Sequence, residues 1–369
     1  MTVNAASAAV AAAPAAGSPS KYGATAAAAA DGVDEWSPTG EATKKAAALW
    51  RWNVICGVAH LVQAVAMVAL SQASATGRDF KLPLLSNYAD WAGGFPRAAT
   101  TQRALLPFAP VTSIFSFLSA AAHFTVLLFW STYVGDLKKG LNKFRWYEYA
   151  ASSSIMIAQI AQLYGMYDIL TLVLLMCVNA CMNLFGLLHE VINARRAPAD
   201  VDWTAFWFGS FAGAAAWAAV FAIVFGNPGY RNIPGFVWAI LFVYFAMFQT
   251  FPANMVFQYL QWGPFSDARN GGWKGAGYLY GERVYMILSL VAKSLLIWIV
   301  YGGINQPNAC ACVSARPESR IGEPSFTAPP FPTPLPPPFL TAHRAPFPHP
   351  ATAAPPPSPL PPHPVTRTN

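Results

Sequence analysis

Two ionisable residues of this 369-residue chain lie inside apolar stretches, where charge is costly: Lys293 clearly, and Glu148 about two turns in. Burial favours the neutral, nucleophilic amine of such a lysine and makes it a good Schiff-base former with an aldehyde. A protonated Schiff base needs an anion close by, and Glu148 is the carboxylate at hand. The plainer alternative is a structural ion pair tying two helices, although burying such a pair seldom stabilises a fold.

Helical spacing gathers further polar groups around the two. Ser289 lies four residues before Lys293 on the same face, and Ser152 lies four after Glu148. Gln159, eleven after Glu148, falls on nearly the same face. Arg145, three before Glu148, is placed to balance or orient that carboxylate or to snorkel to the headgroups. His60 and His123 lie at depth. They are either neutral side chains satisfied by a neighbouring hydroxyl or carbonyl, or a cytosolic-side polar cluster that exchanges protons. Asp168, Glu190, Asp202, Glu282 and Arg283 fall at predicted helix ends, within reach of headgroups or water.

The elements that position these groups are apolar stretches at roughly 48–70, 107–133, 142–165, 169–190, 203–226, 235–260 and 282–304. Each is near the ~20 residues that cross a bilayer as a helix. With 55% hydrophobic and 11% charged residues, the composition points the same way. The expected fold is an all-α membrane protein, a bundle of seven transmembrane helices. The third stretch is the least apolar, interrupted by Glu148, three serines and two glutamines. Between the first and second, Ser71 to Leu106 is too aromatic for a simple linker and reads as a short hairpin or an interface element.

Residues 1–46 are Ala-rich and lack aliphatic bulk, so they read as a disordered amino-terminal segment without a secretory signal. Residues 47–305 form the helical domain. Residues 306–369 hold 20 of the chain's 32 prolines and read as a disordered, polyproline-like tail. The net charge of +7 is dispersed in short clusters between apolar runs, a topological pattern and not a nucleic-acid-binding face. Lys44, Lys45 and Arg51, then Lys138, Lys139, Lys143 and Arg145, then Arg195 and Arg196, then Arg269, Lys274 and Arg283 share one side. The positive-inside rule puts that side and the amino terminus in the cytosol, and the Pro-rich tail on the extracellular or lumenal side. The five cysteines form no disulfide framework, and Cys310 and Cys312 alone make a weak metal signal, so no metal is expected.

Two segments carry a family resemblance. Glu282-Arg283-Val284-Tyr285 followed by Ser289-Leu290-Val291-Ala292-Lys293 resembles the heliorhodopsin retinal-attachment segment. Arg145-Trp146-Tyr147-Glu148-Tyr149, followed by Ser152-Ser153-Ser154-Ile155-Met156, resembles the counterion segment of the same family. The resemblance spans about 48–304 and neither tail. It implies a rhodopsin-like bundle with a cytosolic amino terminus, all-trans retinal on Lys293 with Glu148 as counterion, histidines at His60 and His123, a homodimer in the lipid membrane, and a slow photocycle suited to signalling through a partner. Met156 and the aromatic residues Trp203, Phe206, Trp207, Trp217, Trp238, Phe242, Tyr244, Phe245 and Phe248 are candidates to line the slot a polyene needs.

The expected function is therefore light sensing, and not enzymatic catalysis or ion pumping. An outward proton pump of the ordinary microbial type carries carboxylates where this chain has Gln159 and Ser289. A light-gated ion or proton conductor with the same chromophore needs no such relay and is the alternative. A retinal-free seven-helix receptor or transporter, with Lys293 only an ion-pair partner, is the second.

Overall fold

The structure is a computed structural model that describes residues 34–194 and 196–305. The Pro-rich tail, the Cys310/Cys312 pair, Arg195 and most of the Ala-rich segment lie outside the described residues. Seven long helices run through them: α1 (Glu41–Ala73), α2 (Phe108–Leu128), α3 (Lys143–Leu163), α4 (Ile169–Asn193), α5 (Thr204–Gly226), α6 (Gly235–Tyr259) and α7 (Ala276–Ile304). Chain neighbours from α1 to α5 pack side by side, as do α6 and α7, and α7 returns to α1, with α3 also touching α5 and α6. Between α5 and α6 the contact is aromatic: Trp217 meets Phe245 and Phe248 edge-on with ring centroids 5.3 Å apart. These rings hold the two backbones apart.

Six of the seven helices are long and apolar enough to cross a membrane by composition; α3 is the exception. Its polar residues face helices and not lipid. Ser154 donates to the Met176 carbonyl of α4 (3.0 Å), and the side-chain amides of Asn179 and Asn183 on α4 donate to Ser153 at 2.7 and 3.0 Å. A helix whose polar groups are satisfied by its neighbours needs no apolar surface of its own. The all-α seven-helix class is what the apolar stretches predict.

Several helix ends differ from the sequence expectation, and the helix expected over 107–133 stops at Leu128. α1 starts at Glu41, inside the segment read as disordered: Gly40 caps it, and Ala is the best helix former even where it brings no bulk to bury. α4 runs on to Asn193, and α7 begins at Ala276, after Gly275 in the left-handed region at φ 91°. The extensions leave Glu190 within the last turn of α4 and put Glu282 beyond the first turn of α7, so neither is a terminal residue.

The long loop is a hairpin of β1 (Lys81–Asp90) and β2 (Arg97–Pro107), antiparallel from Lys81 opposite Pro107 to Asp90 opposite Arg97. Gly93 and Gly94, at φ 96° and 83°, make the turn that side-chain-bearing residues would resist. The hairpin is tied to the α3–α4 connection: the Leu85 amide donates to the Tyr167 carbonyl (2.8 Å) and the Asn87 amide to Asp168 Oδ1 (3.2 Å).

Candidate functional site

At the middle of α7, Lys293 turns inward and its ammonium lies 2.8 Å from Glu148 Oε1 on α3; the two side chains are only 4% and 8% exposed. Ser289, one turn earlier on α7, has its hydroxyl 2.8 Å from the same Nζ. On the other side of the carboxylate, Ser119 of α2 donates to Glu148 Oε1 at 2.6 Å. The ring of Tyr149 lies under the ammonium at 5.3 Å, and its own hydroxyl is spent on the Tyr285 carbonyl of α7 (3.0 Å). Tyr244 of α6 donates to the Ala292 carbonyl (2.9 Å), so the α7 backbone leading into Lys293 is braced by neighbouring helices. The result is a charge pair of fixed geometry in a dry setting, where Coulomb attraction is strong.

The ammonium also opens on a cavity of about 300 Å³. Small-molecule sites start at about this size. Its walls are Trp146, Tyr149, Ser152 and Met156 from α3, Phe206 and Trp217 from α5, and Phe245, Phe248, Phe251 and Met255 from α6. Gly209 and Gly213 of α5 line it as well, packed so closely on α4 that a Cβ would lie 3.1 Å from Phe185 and 2.7 Å from Met182 Sδ, respectively. Pro252 removes one helical hydrogen bond from α6 beside the same space. Ser152 Oγ is fully buried and has no hydrogen-bond partner among the described residues, a polar atom left over in a mostly apolar wall.

The structure thus brings Lys293, Glu148, Ser289, Ser152 and Met156 to one place. Of the aromatic candidates, Phe206, Trp217, Phe245 and Phe248 reach the cavity; Trp203, Trp207, Trp238, Phe242 and Tyr244 do not line it, with Trp207 and Phe242 turned outward at 66% and 55% exposure. Gln159 is buried away from the pair, its amide donating to Thr112 at 3.4 Å. His60 and His123 stack with ring centroids 5.7 Å apart; His60 Nδ1 meets Ser116 Oγ at 3.3 Å and His123 Nδ1 meets Asn53 Oδ1 at 2.8 Å. Both histidines therefore have neighbouring side-chain partners, although His60 Nε2 is buried without one.

Arg145 corrects the sequence expectation. It is buried and turns away from Glu148 to form ion pairs with Glu190 of α4 and Glu282 of α7. Asn142 completes this second cluster: its side-chain amide donates to Glu282 (2.5 Å) and its backbone amide to Glu190 (2.9 Å). The guanidinium also stacks on Tyr285 at 4.1 Å and Trp146 at 4.9 Å. Glu190 and Glu282 therefore do not reach headgroups or water, as the predicted helix ends would have them. A small cavity lined by Asn53, His123, Arg145, Glu148, Glu282 and Ser289 separates the two charged sites.

The sequence does not single out Ser119, and it offers Tyr149 only as part of the Arg145–Tyr149 segment, with no role of its own. For Ser119 a signal exists: Ser116, Ser119 and His123 recur at helical spacing on one face of α2, a polar stripe in an apolar helix. Tyr149 adjoins Glu148 in sequence but carries no comparable mark.

Comparison with curated proteins finds no match. The family model for heliorhodopsins matches residues 49–304, more than half of the chain and all of the region that holds the charge pair and the cavity. The chain belongs to the heliorhodopsin family and is an integral, multi-pass membrane photoreceptor of the retinal-binding kind.

Proposed function

We propose that Lys293 holds all-trans retinal through a Schiff-base linkage, with Glu148 as its counterion, and that the protein senses light and does not pump ions. The observation that carries this is the 2.8 Å pairing of Lys293 with Glu148 at the mouth of an apolar cavity of about 300 Å³. The residues fit the group: an amine for the aldehyde, a carboxylate for the resulting charge, and an aromatic and methionine-lined space for the polyene. Retinal, when bound, supplies visible absorption and light-driven isomerisation.

The chain's own residues set what can follow. Glu148 is held by Ser119, so the negative charge stays in one position while Ser289 keeps the Lys293 nitrogen on the α7 face. Ser289 and Gln159 occupy the positions where an outward pump of the ordinary microbial type has carboxylates, and neither hydroxyl nor amide relays a proton by ionising. A cytosolic amino terminus is supported by the basic clusters: Lys138, Lys139, Arg196 and Lys274 gather around one cavity at the Arg145 end of the bundle. A homodimer and a signalling partner rest on the family likeness.

The decisive test is the absorption spectrum of Lys293→Ala reconstituted with all-trans retinal. The visible band is expected to vanish, and a retained band would overturn Lys293 as the attachment site. In voltage-clamped cells the native protein is expected to give no photocurrent under illumination; a reproducible current would replace the sensor by a light-gated conductor.

A further inference from the structure

A second cavity, of about 240 Å³, opens at the Arg145 end between the start of α7, the end of α4 and the connection from α2 to α3. Its lining carries four cations, Lys138, Lys139, Arg196 and Lys274, against one carboxylate, Asp267. That carboxylate is already engaged, accepting from the backbone amides of Gly275 (3.1 Å) and Gly277 (2.8 Å) at the start of α7. Lys139 and Lys274 make no ion pair among the described residues, and Arg196 meets only Asp200 and Asp202 outside the lining, at 3.7 and 3.3 Å. Lys138 is held at the rim by the ring of Trp36 at 5.3 Å, and Trp36 in turn packs edge-on against Trp273. Buried Asn193, Gln258 and Tyr278 also line it, beside apolar Leu137 and Val201, with the Asn193 side chain engaged by the Asp202 backbone and the Tyr278 hydroxyl by Glu190.

Several cations around one concavity repel one another and are stabilised together by a multiply charged anion. Lysine and arginine match phosphate oxygens in charge and in hydrogen-bond geometry. The volume admits one small headgroup and excludes a polymer. We propose that this cavity binds a phosphate-bearing anion, supplied either by a lipid headgroup or by a free phosphate compound. It is distinct from the Lys293 site and involves none of its residues.

The test is titration calorimetry on the full-length protein in detergent at about 50 mM salt, where screening is modest. Two probes are used, inorganic pyrophosphate and a short-chain phosphatidylinositol phosphate. Saturable binding of pyrophosphate assigns a free phosphate ligand; tighter binding of the short-chain lipid assigns a headgroup. K138Q/K274Q is expected to weaken whichever probe binds at least about tenfold, and K138R/K274R to retain it. The proposal is overturned if neither probe binds saturably to the native protein, or if the glutamine variant binds as the native protein does.

Discussion

Two buried ionic sites share α3 three residues apart, and they are built for opposite purposes. At Arg145, two carboxylates, a side-chain amide, a backbone amide and two aromatic rings close around one guanidinium, tying α3 to α4 and α7. At Glu148, one carboxylate meets one amine, with two hydroxyls as its support and a cavity beside it. Each site leaves one buried polar atom without a partner among the described residues, Arg145 Nε at the first and Ser152 Oγ near the second, but only the second has room for a guest beside it. The difference teaches that burial of charge alone does not mark a functional site; burial beside empty, apolar volume does.

The comparison breaks most visibly at Arg145. Arg145→Ala strands Glu190 and Glu282 together without a cation, and removing one partner of a buried pair costs about 3–5 kcal/mol. The thermal midpoint in detergent is expected to fall steeply while the visible band stays near its native position in whatever fraction remains folded. A folded variant with an unchanged midpoint and a displaced band would show that Arg145 belongs to the Glu148 site after all.

Glu148→Gln turns the test around. The amide keeps the shape, and one amine that can shed its proton is left behind, against two carboxylates stranded together at the Arg145 site, so the stability loss is smaller, about 1–3 kcal/mol. The chromophore carries the effect: the band and its pH titration are expected to move together. An unchanged titration would remove Glu148 as counterion.

How much of this was legible in the sequence follows the same divide. Lys293 and Glu148 stand out because charge inside an apolar run is rare, and Ser289 follows from one turn of helix. The Arg145 cluster is hidden because hydropathy makes Glu190 and Glu282 the terminal residues of their helices, whereas α4 runs on to Asn193 and α7 begins at Ala276. The hairpin was readable from its aromatic, Gly- and Pro-punctuated loop only as one of two options, since its contacts with Tyr167 and Asp168 lie far along the chain. Which aromatics line the cavity was not readable: Trp207 and Trp217 differ in side by helical phase against neighbours, and α5 is apolar on every face.

Ser119→Ala sharpens the comparison at lower amplitude. It removes one of the two hydroxyls that support the charge pair, a loss of about 1 kcal/mol. The band is expected to shift less than in Glu148→Gln and in the same direction. A native spectrum and midpoint together would demote Ser119 to a bystander.

The smallest effect belongs outside the bundle. Asp168 caps α4 through the Thr171 amide (2.9 Å) and hydroxyl (2.8 Å), and its other oxygen takes the Asn87 amide of the hairpin. Those hydrogen bonds, the Thr171 amide foremost, hold its carboxyl below the usual range. A carboxyl lowered in the folded state stabilises above its unfolded value of about 3.9, and the contribution fades as pH falls through the lower folded value. The protection of the Leu85 and Asn87 amides, measured against the intrinsic exchange rate at each pH, is therefore expected to fall as the solution is taken below about pH 4. Asp168→Ala is expected to give the same loosening at neutral pH, with the visible band untouched because Lys293 and Glu148 keep every contact. Protection at those amides that ignores both acid and the substitution would mean the backbone bond from Leu85 to Tyr167 holds the hairpin by itself.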